Sequence, residues 1–502
     1  MKRAQAKPEP SRIAADARTT LPETPLETPL EILRAGDTCA VVARAYRAAA
    51  LIDGADYFLR LEQALKQARR SILILGWDFD HRIRLRPDDP NGRPLGAFLR
   101  SLADARPELE IRVLVWSVAV VHAPSEPTQL LLGAPWEKHP RIHLRLDSFH
   151  PIYAAHHQKI ICVDDSLAFA GGMDLTVRRW DRRPHAPDDP LRTSPEGAPY
   201  RAIHDIQMIV DGPAARAVAQ IARARWTRAT GESLAPAPER AQPDLWPDDL
   251  EPDFADVDVG VARTAPAGPG EAEIREAEAL TRACLRAARR SVYIEAQYMT
   301  CAFVGALLAQ ALRRPDGPDV MVLMTHESRG FAERLVMGRN RDRLMRRLKR
   351  ADLHDRLRIC YRVVAGEPVM VHSKLIIVDD RFLRIGSSNL NNRSMGLDTE
   401  CDLAIEAREA RTRAAIADLR LRLIGEHLAV SPLDVAAQEA ATGSMTRGID
   451  ALNGAAYAQG AGLRCFEALA SPGPVRPVFG TGLLDPARPF EPLWFLKRKR
   501  KR

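Results

Sequence analysis

Two histidines in this chain sit in nearly the same surroundings. His157-Gln-Lys159 runs through an apolar stretch to Asp164 within HHQKIICVDD, and His372-Ser-Lys374 runs through Leu-Ile-Ile-Val to Asp379 within VHSKLIIVDD. Each copy reads His-x-Lys, four residues, then Asp, with GGMD (171–174) or GSSN (386–389) following. Asp174 and Asn389 therefore fall at the same offset behind their histidines. One such copy is a weak signal, whereas two with matching flanks are a strong one. Strand alternation sends His and Lys of each copy to one face. The glycines at 171, 172 and 386 permit a tight turn or a close backbone approach. Two imidazoles and two ammonium groups are what cleavage of a phosphodiester without metal requires. One neutral histidine attacks phosphorus, the other protonates the leaving alkoxide, and the lysines stabilise the nonbridging oxygens. Histidine suits both tasks because its reference pKa of about 6.5 lies near working pH. No metal and no cofactor are expected. Asp164 and Asp379 read as residues that fix the turn at each strand end.

The elements that must carry these residues also recur. DYFLRLEQALKQARR places Phe58, Leu61, Ala64, Leu65 and Ala68 on one helical face and runs into the strand-like SILILGWDFD. TRACLRAARRSVYIEAQYMT (281–300) repeats that pattern, sharing Ala-Arg-Arg-Ser at 68–71 and 288–291. IRVLVWSV (111–118) is matched by VMVLMT (320–325). The alternation predicts α/β architecture. We expect two similar α/β halves, each a mixed β-sheet flanked by helices, packed pseudo-symmetrically around one shared active site. The expected boundaries are a disordered segment over 1–35, a first half over 36–230, a Pro- and acid-rich linker over 231–270, a second half over 271–430, and a C-terminal extension with a basic tail over 431–502.

The flanks of the motifs resemble the phospholipase D superfamily over about residues 50–430. HHQKIICVDDSLAFAGGMDLTVRRWD is similar to the first motif of its phospholipase branch, and VHSKLIIVDDRFLRIGSSNLNNRSMGLDTE to the second. YIEAQYM and IHDIQMIVDGPAARAVAQIARARW resemble two further family segments. The resemblance implies His157 as nucleophile and His372 as general acid. Asp164 and Asp379 complete the signature and count with the catalytic set. Lys159 and Lys374 would hold the phosphoryl group, with Asn389 and Asp174 as phosphate-binding positions. It also implies a carboxylate orienting each histidine: Glu400 for one, and either Asp181 or Asp205 for the other. Glu295, Gln297 and Tyr298 would line the substrate pocket. The family's usual Glu-Asn-Gln-Tyr-Phe is Glu-Ala-Gln-Tyr-Met here, with Ala296 and Met299 departing. His150, His156 and His204 are expected to be structural, and Trp180 and Trp226 to be core aromatics.

Composition narrows the setting. Net charge is +8 over 502 residues, with six basic residues closing the chain, which favours anionic partners. Seven scattered cysteines without a CxxC pair suit a reducing compartment and argue against a disulfide framework. No apolar leader or membrane span is read, so the expected location is cytoplasmic, peripheral at the inner face of the membrane. The resemblance implies a phospholipid substrate at a membrane surface, hydrolysed to phosphatidic acid and free headgroup through a phosphohistidine. Phosphatidyl transfer, as in cardiolipin synthesis, is the alternative. A nuclease is the remaining reading, but no specific nucleic acid is expected as partner. With both motifs in one chain, a monomer is expected.

Overall fold

The computed structural model describes residues 31–117, 134–151, 154–238, 244–268, 271–326, 337–458, 460–470, 473 and 485–488. The first half contains β1 (Val41–Ile52), α1 (Asp53–Gln67), β2 (Ser71–Gly76), α2 (Leu95–Ala105), β3 (Glu110–Trp116), β4 (Ile142–Asp147), β5 (Ile160–Val163), β6 (Leu167–Gly171), β7 (Ile206–Asp211) and α3 (Gly212–Thr230). The second contains β8 (Phe254–Ala265), α4 (Glu276–Ala287), β9 (Ser291–Ala296), α5 (Ala302–Arg313), β10 (Asp319–Met324), α6 (Arg339–Ala351), β11 (Leu357–Val364), β12 (Lys374–Val378), β13 (Phe382–Gly386), β14 (Glu400–Glu406) and α7 (Ala410–Leu428). Beyond them lie α8 (Pro432–Thr442), α9 (Met445–Ala458) and β15 (Ala461–Cys465).

The strands form one mixed sheet flanked by helices. Its first half runs β4-β3-β2-β5-β6-β7-β1, with β2, β3 and β4 parallel and the rest antiparallel. The second half runs β8-β14-β13-β12-β9-β10-β11 with the same senses of pairing, and β15 adds beyond β11. β1 and β8 pair antiparallel from Val41↔Val261 to Ala48↔Phe254 and join the halves. β5 and β12 are buried along their whole length. Covered on both faces, such strands read as continuous apolar runs rather than alternating ones. The expected face of α1 is buried in full. Gly231, left-handed at φ 78°, closes α3, and its N–H donates to the Thr227 carbonyl. Trp226 on that helix is wholly buried and donates its indole N–H to Glu232.

The segment 231–270 holds more than a connection. Its 254–265 portion is β8, the strand that binds the two halves together. Of the segment 1–35, Ile32 and Leu33 are buried, and their backbone N–H groups donate to Glu406 at 2.8 and 3.0 Å. The expected basic tail lies outside the described residues.

Candidate active site

The residues leading into β5 and β12 deliver the two histidines to the join between the halves, and each histidine is held by the opposite half. His157 of the first half places Nδ1 2.9 Å from Glu400 Oε2 at the start of β14. His372 of the second places Nδ1 2.6 Å from Asp205 Oδ2, one residue before β7. The backbone repeats the exchange. The His157 N–H donates to the Thr399 carbonyl at 3.0 Å, and the His372 N–H to the His204 carbonyl at 2.8 Å. Each histidine is thus tied by its backbone to the residue preceding its carboxylate. With Nδ1 engaged, Nε2 is the nitrogen left for chemistry.

Gly172 makes one of these contacts possible. A Cβ there would come within 2.1 Å of the Asp205 carboxylate, so any larger residue would displace it.

The lysines lie beside the histidines and are almost fully buried. Lys159 Nζ is 3.1 Å from Asp174 Oδ2. Lys374 Nζ donates to Gln297 Oε1 at 3.2 Å and lies 3.1 Å from His372 Nδ1. Burial first, and then the cations Lys159 and Lys374, hold His157 well below its ordinary pKa. Burial, then Lys374, Arg179 and Lys159, does the same to His372. Each histidine therefore feels the lysine of the other half, which makes this one site and not two. Burial pushes Lys374 down to about 7 and Glu400 up to about 8.

Several expected residues lie elsewhere or act differently. Asp164 and Asp379 are not beside the histidines. They sit at the far ends of β5 and β12, where Asp164 accepts the backbone N–H groups of Arg69, Arg70 and Ser71, and Asp379 those of Arg289, Arg290 and Ser291. Their catalytic assignment is corrected to the structural one. Asp181 does not orient a catalytic histidine. It bonds His185 Nδ1, Arg192 and the Ile203 N–H. Glu295 is buried, accepting from Tyr293 OH at 2.7 Å and lying 2.9 Å from both His204 Nε2 and His427 Nε2. Asp174 is the counter-ion of Lys159 and accepts the Trp77 N–H at 2.8 Å. A carboxylate there would repel a phosphate rather than bind it. Its counterpart Asn389 is buried, and its Oδ1 has no hydrogen-bond partner. Tyr298 is half-buried, and its carbonyl accepts the Leu390 N–H beside Asn389.

Sequence reading missed four residues: Asp53, His185, Glu426 and His427. They belong to two groups that could hold a metal among the described residues, Asp53-His185-His204-Glu426 and His204-Glu295-His427. Neither group includes His157, His372 or a lysine. No spacing announces them, because they come from separate elements of both halves. His204, expected to be structural, belongs to both.

Residues 281–417 match a family model described as "Cardiolipin synthase, PLD-like domain". The chain is 24% identical to phospholipase D A of Dictyostelium discoideum over 469 residues, covering 76% of this chain and 35% of that protein. It is 25% identical to the cardiolipin synthase of Halalkalibacterium halodurans over 354 residues, covering 70% of this chain and 61% of that one. The matches to phospholipase D C of D. discoideum and phospholipase D of Phytophthora infestans take in 12% and 9% of those proteins. The solved phosphatidylserine synthase of Haemophilus influenzae Rd KW20 aligns with a TM-score of 0.49 and 12% identity, over 76% of this chain and 88% of its own. No helix among the described residues is long and apolar enough to cross a membrane.

Proposed function

The chain belongs to the phospholipase D superfamily, and from that premise we propose that it cleaves glycerophospholipids to phosphatidic acid and free headgroup through a phosphohistidine. The observation that carries this reading is the exchange of carboxylates, His157 with Glu400 and His372 with Asp205, around two buried lysines. Nε2 of His157 attacks phosphorus, and the bond from phosphorus to the headgroup oxygen breaks. Burial raises the Asp205 carboxyl, so Asp205 keeps a proton for Nδ1 and the neutral His372 ring carries its own on Nε2. His372 donates that Nε2 proton to the leaving oxygen. Water then enters on the same side, His372 takes its proton, and the bond from His157 to phosphorus breaks to release phosphatidic acid. Lys159, Lys374 and Asn389 offer positive charge and hydrogen bonds to the nonbridging oxygens, in a site dry enough for these to be strong. The site works on a lipid presented at a membrane surface, the chain acting as a monomer at the cytoplasmic face.

Transfer to an alcohol uses the same intermediate. It is the second reading, favoured by the match of 281–417 to the cardiolipin synthase model. Labelled phosphatidylcholine, phosphatidylethanolamine and phosphatidylglycerol, each with and without a primary alcohol, separate the two. Phosphatidic acid alone marks a hydrolase, and phosphatidyl-alcohol marks capture of the intermediate. His157→Ala and His372→Ala should each abolish turnover. Near-wild-type activity in either, or cleavage of DNA and bis(p-nitrophenyl) phosphate with no lipid turnover, would overturn the proposal.

A further inference from the structure

Behind His372 lies a second set of titratable side chains, closed off from solvent. Asp53 opens α1, and His185 lies between β6 and β7. His204 precedes the carboxylate that holds His372, and Glu426 comes from the last turn of α7 in the other half. The first three are 0% exposed, and the Glu426 side chain is 6% exposed. His185 Nε2 lies 3.3 Å from Asp53 Oδ2 and 3.3 Å from Glu426 Oε1. His204 Nδ1 lies 2.9 Å from Asp53 Oδ1 and 3.3 Å from Glu426 Oε1. One donor atom from each of the four falls within 4.8 Å of all the others. Nitrogen and oxygen ligands at their usual distance from a tetrahedral zinc ion stand about 3.3–3.5 Å from one another.

Two of these atoms have ion-pair neighbours but no hydrogen bond of ordinary geometry. Asp53 Oδ2 and His204 Nδ1 are buried and make no hydrogen bond, although each has a polar atom close by. Close approach without hydrogen-bond geometry is compatible with neighbouring ligands of one ion, and of these contacts His185 Nε2 to Glu426 Oε1 is also a hydrogen bond. Charge leads the same way. Asp53, Asp181, Glu295 and Glu426 bring four negative charges, and Arg192 and Arg362, paired with Asp181 and Glu426 at 2.9 and 3.2 Å, return two. With both imidazoles neutral, one divalent cation closes the balance. Without it, burial is outweighed by Asp53 and its neighbouring carboxylates, which hold His185 and His204 above their ordinary pKa. The outer ring nitrogens are also held by carboxylates, His185 Nδ1 by Asp181 and His204 Nε2 by Glu295, both at 2.9 Å. Carboxylates placed so fix the tautomer and aim the other nitrogen's lone pair inward, as they do behind metal-bound histidines.

We propose that Asp53, His185, His204 and Glu426 bind one zinc ion. Four protein ligands leave no open position, so the ion is structural. It joins three segments of the first half to α7 of the second and braces Asp205, one residue from His204. Zinc here would be bound whatever substrate the two histidines act on.

The test uses the full chain without a histidine tag, expressed with zinc in the medium and desalted, with metal per chain measured by inductively coupled plasma mass spectrometry. About one zinc per chain is expected, retained through brief EDTA treatment and lost when the protein is unfolded in EDTA. X-ray absorption should show nitrogen and oxygen neighbours and no sulfur. His185→Gln and Glu426→Gln should each bind less than about a tenth of that zinc and melt lower. If neither variant folds, the wild-type stoichiometry and absorption spectrum decide alone. A folded wild type with less than about 0.1 zinc per chain and no melting shift on added zinc would overturn the site, as would sulfur ligation or undiminished zinc in His185→Gln.

Discussion

His157 Nδ1 and Glu400 Oε2 lie 2.9 Å apart, so the protons of the two groups are counted together. Burial raises the Glu400 carboxyl from its ordinary 4.5 to about 8, while burial and the two lysines hold His157 down. Below about pH 8 the pair carries two protons, and above it one, which leaves His157 Nε2 free to attack. The ascending limb of kcat/KM against pH should follow this pair. In Glu400→Gln the histidine titrates alone at its depressed value, so that limb moves toward acid. The plateau falls by about 10²–10⁴-fold as the ring loses its orientation. Stability responds in the same window. A carboxyl whose folded value is raised takes up a proton on folding, so its contribution is present at low pH and is lost as pH rises from 4.5 through about 8. Glu400→Gln should therefore match wild type in Tm at acid pH and exceed it above about pH 8. Calorimetry across that range, with an unmoved rate limb or a constant Tm difference, would dispose of the shared-proton account. That the histidines, lysines and Glu400 lie together was legible from spacing and resemblance. The choice between Asp181 and Asp205 was not, because it depends on a contact spanning 167 residues.

At the level of elements, the signature aspartates explain the repeated Ala-Arg-Arg-Ser. In each half the chain leaves a helix, turns through two arginines and enters a central strand, and one carboxylate accepts the three backbone N–H groups of that turn. Asp164 and Asp379 do so from left-handed backbone, at φ 51° and 56°. Asp164→Ala should cost about 2–4 kcal/mol, from three unmet donors and an alanine in an unfavourable conformation. Asp164→Asn, which tolerates that conformation and keeps an acceptor, should cost less. Below their melting transitions both variants should keep kcat within a few-fold of wild type. A selective loss of kcat at unchanged Tm would return Asp164 to the chemistry. The repeat itself was visible in the sequence, but its cause was not, since Ser71 and Asp164 lie 93 residues apart. β8 was open to detection. Val257, Val259 and Val261 alternate with Asp256, Asp258 and Gly260, a period-two pattern obscured by proline- and acid-rich flanks.

Across the whole molecule, the exchange of carboxylates means that neither half holds a complete site. His157 lacks its orienting group without β14, and His372 lacks its own without the segment before β7. The sheet enforces this, because β1 pairs with β7 on one side and β8 on the other, and β8 in turn pairs with β14. Two copies of one motif were enough to infer a shared site from sequence. That each copy reaches into the other half depends on how the halves face each other, which no local pattern records. The covalent link between them should therefore be dispensable once they have folded together. A protease site inserted between Gly231 and Pro238, in a largely exposed stretch after α3, allows that link to be cut in the folded protein. After cleavage the fragments should elute as one particle, retain most of the activity, and separate only in denaturant, with activity lost in step. Each fragment alone should be inactive, and mixing fragments carrying His157→Ala and His372→Ala should not restore turnover. Fragments that part in native buffer, or a single fragment that turns over substrate, would show that the site does not depend on the exchange.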